Sequence, residues 1–100
     1  MRRVVVSPEA GLELRAAAIW YSEREPGLGE EFVLEVDSTI ASLAAGAHRH
    51  PAWRPGRPYC KVLVHRFPYV IFFEHDDQRV QVLAIAHRRR KPGYWLRRTR

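Results

Sequence analysis

The chain has 100 residues, of which 46% are hydrophobic, and this length suits one domain with one core. The sequence therefore predicts a single domain over residues 1–100. Its one cysteine, Cys60, excludes an internal disulfide and a cysteine-based zinc site. No apolar run reaches the roughly 18 residues of a membrane span and no signal segment opens the chain, so we expect a cytoplasmic protein without membrane contacts.

The formal net charge of +6 is unevenly distributed along the chain. Residues 1–37 contain four arginines and eight acidic residues (4 − 8 = −4), whereas residues 38–100 contain thirteen basic and three acidic residues (13 − 3 = +10). Seven of these basic residues lie in the segment 87–100, which contains no acidic residue. This concentration of positive charge indicates a surface that binds phosphate groups or an acidic protein.

The first half of the chain predicts one strand and two helices. The β-branched run 2–6 is typical of a strand, and Ser7-Pro8 is typical of a helix start, here of a helix that continues to about residue 25. A turn at 26–29, with two glycines and a proline, ends that helix, and a second helix continues to about Gly46. Because the connection is so short, the two helices are expected to form an antiparallel hairpin.

The second half of the chain predicts three strands, at residues 59–66, 69–74 and 79–86. The connections between them are short, so neighbouring strands must pair in antiparallel fashion. The expected order is β-α-α-β-β-β, an α+β fold with the helical hairpin packed on a mainly antiparallel four-stranded sheet.

The segment that follows the last predicted strand has the composition of a nucleic-acid contact. It combines an imidazole, three consecutive arginines, a lysine and two aromatic rings. Guanidinium groups bind phosphates, and aromatic rings stack on unpaired bases. Loop 46–58 is long for a small domain and adds further arginines. Target or nucleic-acid binding is therefore predicted for Arg54, Arg57, Arg88, Arg89, Arg90, Lys91 and Trp95.

Two other interpretations concern the same parts of the chain. The basic segment is alternatively a solvated C-terminus whose Tyr94 and Trp95 cover the sheet. On the first predicted helix, Ile19 and Trp20 lie off the buried face, so they either receive an amphipathic helix of a partner protein or pack under loop 46–58. No set of carboxylates, histidines and cysteines has metal-ligand spacing, so no metal ion and no cofactor is predicted.

Several sequence phrases resemble the RelE/ParE family of toxins from bacterial type II toxin–antitoxin modules, and together they span nearly all of residues 2–95. The phrases are Ser7-Pro8-Glu9-Ala10, Trp20-Tyr21, Pro26-Gly27-Leu28-Gly29-Glu30-Glu31-Phe32, Arg66-Phe67-Pro68-Tyr69, and Val82-Leu83-Ala84-Ile85-Ala86-His87 leading into Arg88-Arg89. The resemblance implies a growth-inhibiting, plasmid-stabilising toxin that a cognate acidic antitoxin neutralises, with Ile19 and Trp20 as candidate antitoxin contacts. It leaves a homodimer and a hetero-oligomer with the antitoxin both open.

The family has two kinds of target. RelE-like toxins cleave messenger RNA on the ribosome, whereas ParE-like toxins inhibit DNA gyrase and are not nucleases. The helical hairpin and the His-x-Arg-Arg ending resemble the ParE side, so gyrase inhibition is the preferred prediction. A non-toxic, basic nucleic-acid-binding relative is a third interpretation.

If the chain is instead a metal-independent ribonuclease, the resemblance implies catalytic roles for Arg88, Tyr94 and Lys61, with His87 as acid or base. Two further basic positions of the RelE type would fall near Leu63 and Val70, which are apolar here.

Overall fold

The computed structural model describes residues 1–99 and confirms the predicted α+β fold. Its elements, in chain order, are β1 (Arg3–Val6), α1 (Pro8–Arg24), α2 (Leu28–Gly46), β2 (Tyr59–Leu63), β3 (Tyr69–His75) and β4 (Arg79–His87). Short 3₁₀ helices occur at Ala47–Arg49, directly after α2, and at Leu96–Thr99. None of the helices in this part of the chain combines the length and the apolar character that crossing a membrane would require.

The helix boundaries follow from capping residues. Ser7 is extended, and its Oγ accepts a hydrogen bond from the Ala10 N–H at 3.1 Å, which satisfies a free backbone donor of the first turn of α1. Gly27 precedes α2 with φ = +87°, a left-handed conformation that glycine adopts without strain. The chain can therefore reverse direction between Arg24 and Leu28 and form the predicted helical hairpin.

The helices of the hairpin approach each other closely at Gly29. This residue is buried, and a Cβ atom on it would overlap Ser22 Oγ and lie 2.5 Å from the carbonyl oxygen of Ala18. Only a residue without a side chain fits between the helices here.

The sheet has the strand order β1-β4-β3-β2. The two antiparallel pairs, β2–β3 and β3–β4, are as the short connections predicted. β1 pairs with β4 in parallel, from Arg3 opposite Arg79 to Val6 opposite Val82. β4 is thus a central strand that joins the first element of the chain to the antiparallel meander.

Both faces of the sheet carry a core. On one face, α1 and α2 pack on the sheet around a core that includes the fully buried Phe32 and Leu43 of α2 and Phe73 of β3. On the other face, a second core forms around Trp95 and Phe72. The helical hairpin covers only the first face, because the second is covered by loop 46–58 and by the C-terminal segment.

Candidate functional site

The C-terminal segment is fixed to the sheet through Glu13 of α1. The Glu13 carboxylate accepts hydrogen bonds from the Ile85 N–H at 3.0 Å, from the Tyr94 hydroxyl, and from the two terminal nitrogens of Arg98 at 3.0 and 3.1 Å. Its side chain is only 13% exposed. A carboxylate with so little contact with solvent is stable when charged donors and backbone N–H groups surround it in this way.

Beyond the end of β1, side chains form the hydrogen bonds to the β4 backbone that a neighbouring strand would otherwise form. β1 ends at Val6 whereas β4 continues to His87, so within residues 1–99 the last part of β4 has no strand beside it on that side. There, the Leu83 carbonyl accepts hydrogen bonds from Ser7 Oγ at 3.3 Å and from Arg98 Nη1 at 3.1 Å. Residues near both ends of the described chain thus donate hydrogen bonds to the same edge of β4.

A cleft of about 250 Å³, here called the basic cleft, lies where β4 leads into the C-terminal segment. Among residues 1–99, no acidic residue lines it, and an exposed leucine, Leu63, borders it. Six of the residues predicted from the sequence meet in its wall: Lys61, His87, Arg88, Arg90, Lys91 and Tyr94.

The turn after β4 is ordered by backbone contacts. The Arg88 N–H donates to the Pro68 carbonyl at 2.9 Å, and the Arg90 N–H donates to the His87 carbonyl at 2.9 Å. His87 Nδ1 accepts a hydrogen bond from the Arg89 N–H at 3.1 Å, so the imidazole is fixed by the turn that it begins. The rigid end of a strand therefore positions the guanidinium-bearing residues.

The basic residues of this turn differ in how far they are neutralised. Arg90 Nη1 lies 3.7 Å from Glu13 Oε2, and the Arg90 guanidinium lies 3.8 Å from the centre of the Tyr94 ring. Arg88, Arg89 and Lys91 are exposed, and within residues 1–99 none of them forms an ion pair. These three carry the free positive charge of the turn, although Arg89 does not line the cleft.

Tyr94 is directed toward Glu13. Burial is the main cause that raises the pKa of Tyr94 far above its ordinary value, and the hydrogen bond to the Glu13 carboxylate raises this pKa further. The phenol therefore stays protonated and donates its hydrogen bond to Glu13. A group in this state is poorly suited to act as an acid or base at neutral pH.

Trp95 does not belong to the predicted binding surface. Its side chain is 0% exposed and stacks on Phe72, with ring centres 4.9 Å apart. No face of the indole is free for a base, so the prediction that Trp95 contacts a target is wrong, and the interpretation that it covers the sheet is correct. Arg54 and Arg57 are exposed in loop 46–58 but do not line the basic cleft.

Ile19 and Trp20 are exposed, at 54% and 50%, so the alternative that they pack under loop 46–58 is wrong. Ile19 borders a shallow groove of about 440 Å³ between the outer sides of α1 and α2. This helical groove is also lined by Ala18, Gly29, Val33 and Leu34, and by the charged residues Arg15 and Glu30. Trp20 lines a different groove, of about 570 Å³, between α1 and the ends of β3 and β4.

Three residues that matter for these surfaces were not singled out from the sequence. Leu34 is 67% exposed in the helical groove, and its position on α2, two residues from both Phe32 and Val36 of the buried side, would have indicated it. Glu13 and Arg98 give no such indication, because in the sequence an acid on a helix and an arginine in a basic tail look the same as ordinary surface residues. Within residues 1–99, no three histidine, cysteine, aspartate or glutamate side chains form a group able to hold a metal ion.

The fold is thus a helical hairpin on a mixed four-stranded sheet, and its last strand leads into a basic turn. The sequence model of the family described as "ParE toxin of type II toxin-antitoxin system, parDE" matches residues 4–92. The chain belongs to this ParE toxin family.

A solved structure has the same fold. It is described as the chromosomal ParDE TA system from P. aeruginosa, with a TM-score of 0.74 and 20% sequence identity. The similarity covers 87% of this chain and 96% of that chain. Comparison with the curated proteins gave no match.

Proposed function

We propose that this ParE-family toxin inhibits DNA gyrase in the cytoplasm and that a cognate acidic antitoxin neutralises it. Membership of the ParE family supports this choice of target. The observation that carries the choice over RNA cleavage is the hydrogen bond from the Tyr94 hydroxyl to Glu13, because it directs the phenol proton to Glu13 and away from a substrate.

RNA cleavage is the second candidate, and it is supported by the convergence of Lys61, His87 and Arg88 on the basic cleft. An imidazole beside several cations is a suitable arrangement for metal-independent cleavage. However, Leu63 and Val70 occupy the cleft where further basic groups would be required. Binding of a target without chemistry on it agrees better with this lining.

The helical groove is the proposed antitoxin site. Ile19 and Leu34 expose apolar surface there, and an amphipathic helix is the partner that such a groove between helices receives. The acidic character of the antitoxin is proposed from the net charge of +6, because long-range attraction would speed its capture of the toxin.

The experiment that tests the proposed function compares the two targets with the same purified chain. We expect inhibition of the supercoiling of relaxed plasmid by DNA gyrase, and no effect on cell-free translation. Arg88→Ala should weaken the gyrase effect. If translation stops, and stops no longer with Arg88→Ala, the protein is a ribonuclease of the RelE type. Normal growth of cells that express the chain without an antitoxin would count against both targets and favour a non-toxic relative.

A further inference from the structure

We infer that the basic cleft binds an acidic segment of the target protein, with an apolar side chain of that segment resting on Leu63, and does not bind a nucleic-acid strand. This inference rests on the proposed function and adds the chemistry of the surface that the target presents.

The charge of the cleft requires an anionic occupant. Four exposed basic residues line it, Lys61, Arg88, Arg90 and Lys91, and no acidic residue of the described part of the chain shares the lining. Of these four, Arg90 is partly neutralised by Glu13. The other three leave the mouth of the cleft positive, which attracts carboxylates or phosphates.

The aromatic rings at the cleft favour carboxylates over a single-stranded nucleic acid. The Trp53 ring has the Arg54 guanidinium 4.1 Å from its centre. The Tyr94 ring has the guanidinium groups of Arg90 and Arg98 at 3.8 and 5.1 Å. Phe72 is only 9% exposed, beneath the cleft. Binding of unpaired bases depends on stacking against free ring faces, and the guanidinium groups and the core already occupy these rings.

Leu63 provides the apolar part of the proposed surface. It is 68% exposed at the end of β2 and borders the cleft beside the basic side chains. An apolar side chain of a protein gains free energy by covering such a residue, whereas a sugar–phosphate backbone does not. Cations around an exposed leucine therefore match a protein segment that alternates acidic and apolar residues.

The cleft is separate from the proposed antitoxin site. It contacts the core that contains Phe72 and Trp95, on the face of the sheet opposite the helices. The helical groove is formed by the outer sides of α1 and α2. The two surfaces share no lining residue, so substitutions in one can be tested without altering the other.

The test measures equilibrium binding to three probes: purified DNA gyrase, a synthetic peptide of four Glu-Leu-Asp repeats, and a single-stranded oligonucleotide dT12. We expect Leu63→Ser to weaken binding of gyrase and of the peptide at least fivefold. Leu12→Ser is the matched control, because Leu12 is 64% exposed and lies outside the cleft, and it should change neither affinity. Likewise, Lys61→Glu should weaken both at least tenfold, and Arg3→Glu, with the same charge change on the exposed Arg3, should not.

The outcomes separate this inference from the proposed function. If gyrase does not bind but the peptide binds through Leu63, the choice of gyrase is wrong and the inferred chemistry of the cleft is supported. If dT12 binds more tightly than the peptide, or if Leu63→Ser leaves peptide binding unchanged, the inference is overturned. Circular dichroism of each variant checks that the fold is retained.

Discussion

Glu13 connects three parts of the chain that are far apart in sequence: helix α1, strand β4 and the C-terminal segment. Its contacts are to a backbone N–H, a phenol and a guanidinium group. Hydrogen bonds to a charged group contribute about 1.5–3 kcal/mol each, and a buried donor that loses its partner costs a similar amount. The position of the C-terminal segment therefore depends strongly on one side chain.

Replacing Glu13 with alanine should lower the free energy of unfolding by about 2–4 kcal/mol, because Ile85 N–H, Tyr94 and Arg98 lose their acceptor together. Urea denaturation measures this change. Glu23→Ala is the control on the same helix, since the Glu23 side chain is 66% exposed, and it should change stability by less than about 0.5 kcal/mol. Equal stability of the two variants would show that Glu13 is not an anchor.

Tyr94 is expected to make the free energy of unfolding decrease at alkaline pH. Its pKa is raised in the folded state, chiefly by burial, while the unfolded chain has the ordinary value of about 10. The neutral phenol therefore stabilises the fold fully below pH ~10, and this stability is lost as the pH rises further, by up to about 1.4 kcal/mol per pH unit. Tyr94→Phe should make the decline of unfolding free energy between about pH 10 and 11 shallower; an unchanged slope would contradict this.

At the scale of elements, the helical hairpin depends on the close approach at Gly29. Gly29→Ala should destabilise the protein by about 1–3 kcal/mol, because the new Cβ meets Ser22 and the Ala18 carbonyl. Gly11→Ala is the matched control within α1, because a Cβ there meets nothing within 4 Å. It should raise stability by about 0.5–1 kcal/mol, as alanine favours the helix. Thermal unfolding of both variants tests this opposite pair of effects.

The elements themselves could be predicted because their determinants are local. The Ser7 cap and the turn at 26–29 mark the helices, and the short turns after residues 66 and 75 fix antiparallel pairing. The parallel partner of β1 could not be predicted in this way, because a four-residue strand has no local feature that selects β4. That choice depends on packing of the whole chain.

The site could be predicted only in part, for a related reason. The basic turn follows directly from the sequence, because consecutive arginines after a strand must lie near its end. The burial of Trp95 and the role of Glu13 depend on the second core, and an aromatic residue in a basic segment has the same local pattern whether it is exposed or buried.

At the scale of the whole molecule, folding reduces the charge asymmetry of the sequence. Glu13 pairs with Arg90 and Arg98, and Glu31 pairs with Arg66 at 3.1 Å. Acidic residues from the first third of the chain thus neutralise several cations of the rest. Arg88 and Lys91 stay exposed in the basic cleft, and neither of them lines the helical groove.

This separation gives a prediction for antitoxin binding. Ile19→Asp should weaken capture by the cognate antitoxin at least tenfold, because it replaces exposed apolar surface of the helical groove with a charge. Leu12→Asp, on the same helix but outside the groove, should not. Co-purification of the two proteins and rescue of growth measure the effect. Equal loss in both variants would place the antitoxin elsewhere on α1.

The central position of β4 has a consequence for synthesis of the protein. β1 leaves the ribosome first, yet its partner strand begins only at Arg79. A nascent chain that lacks β4 therefore has an unpaired β1 and a hairpin of β2 and β3, and it lacks the strand that pairs with both of them. The four-stranded sheet can form only when translation is nearly complete. Prematurely terminated products are therefore expected to remain unfolded and to be degraded by cellular proteases.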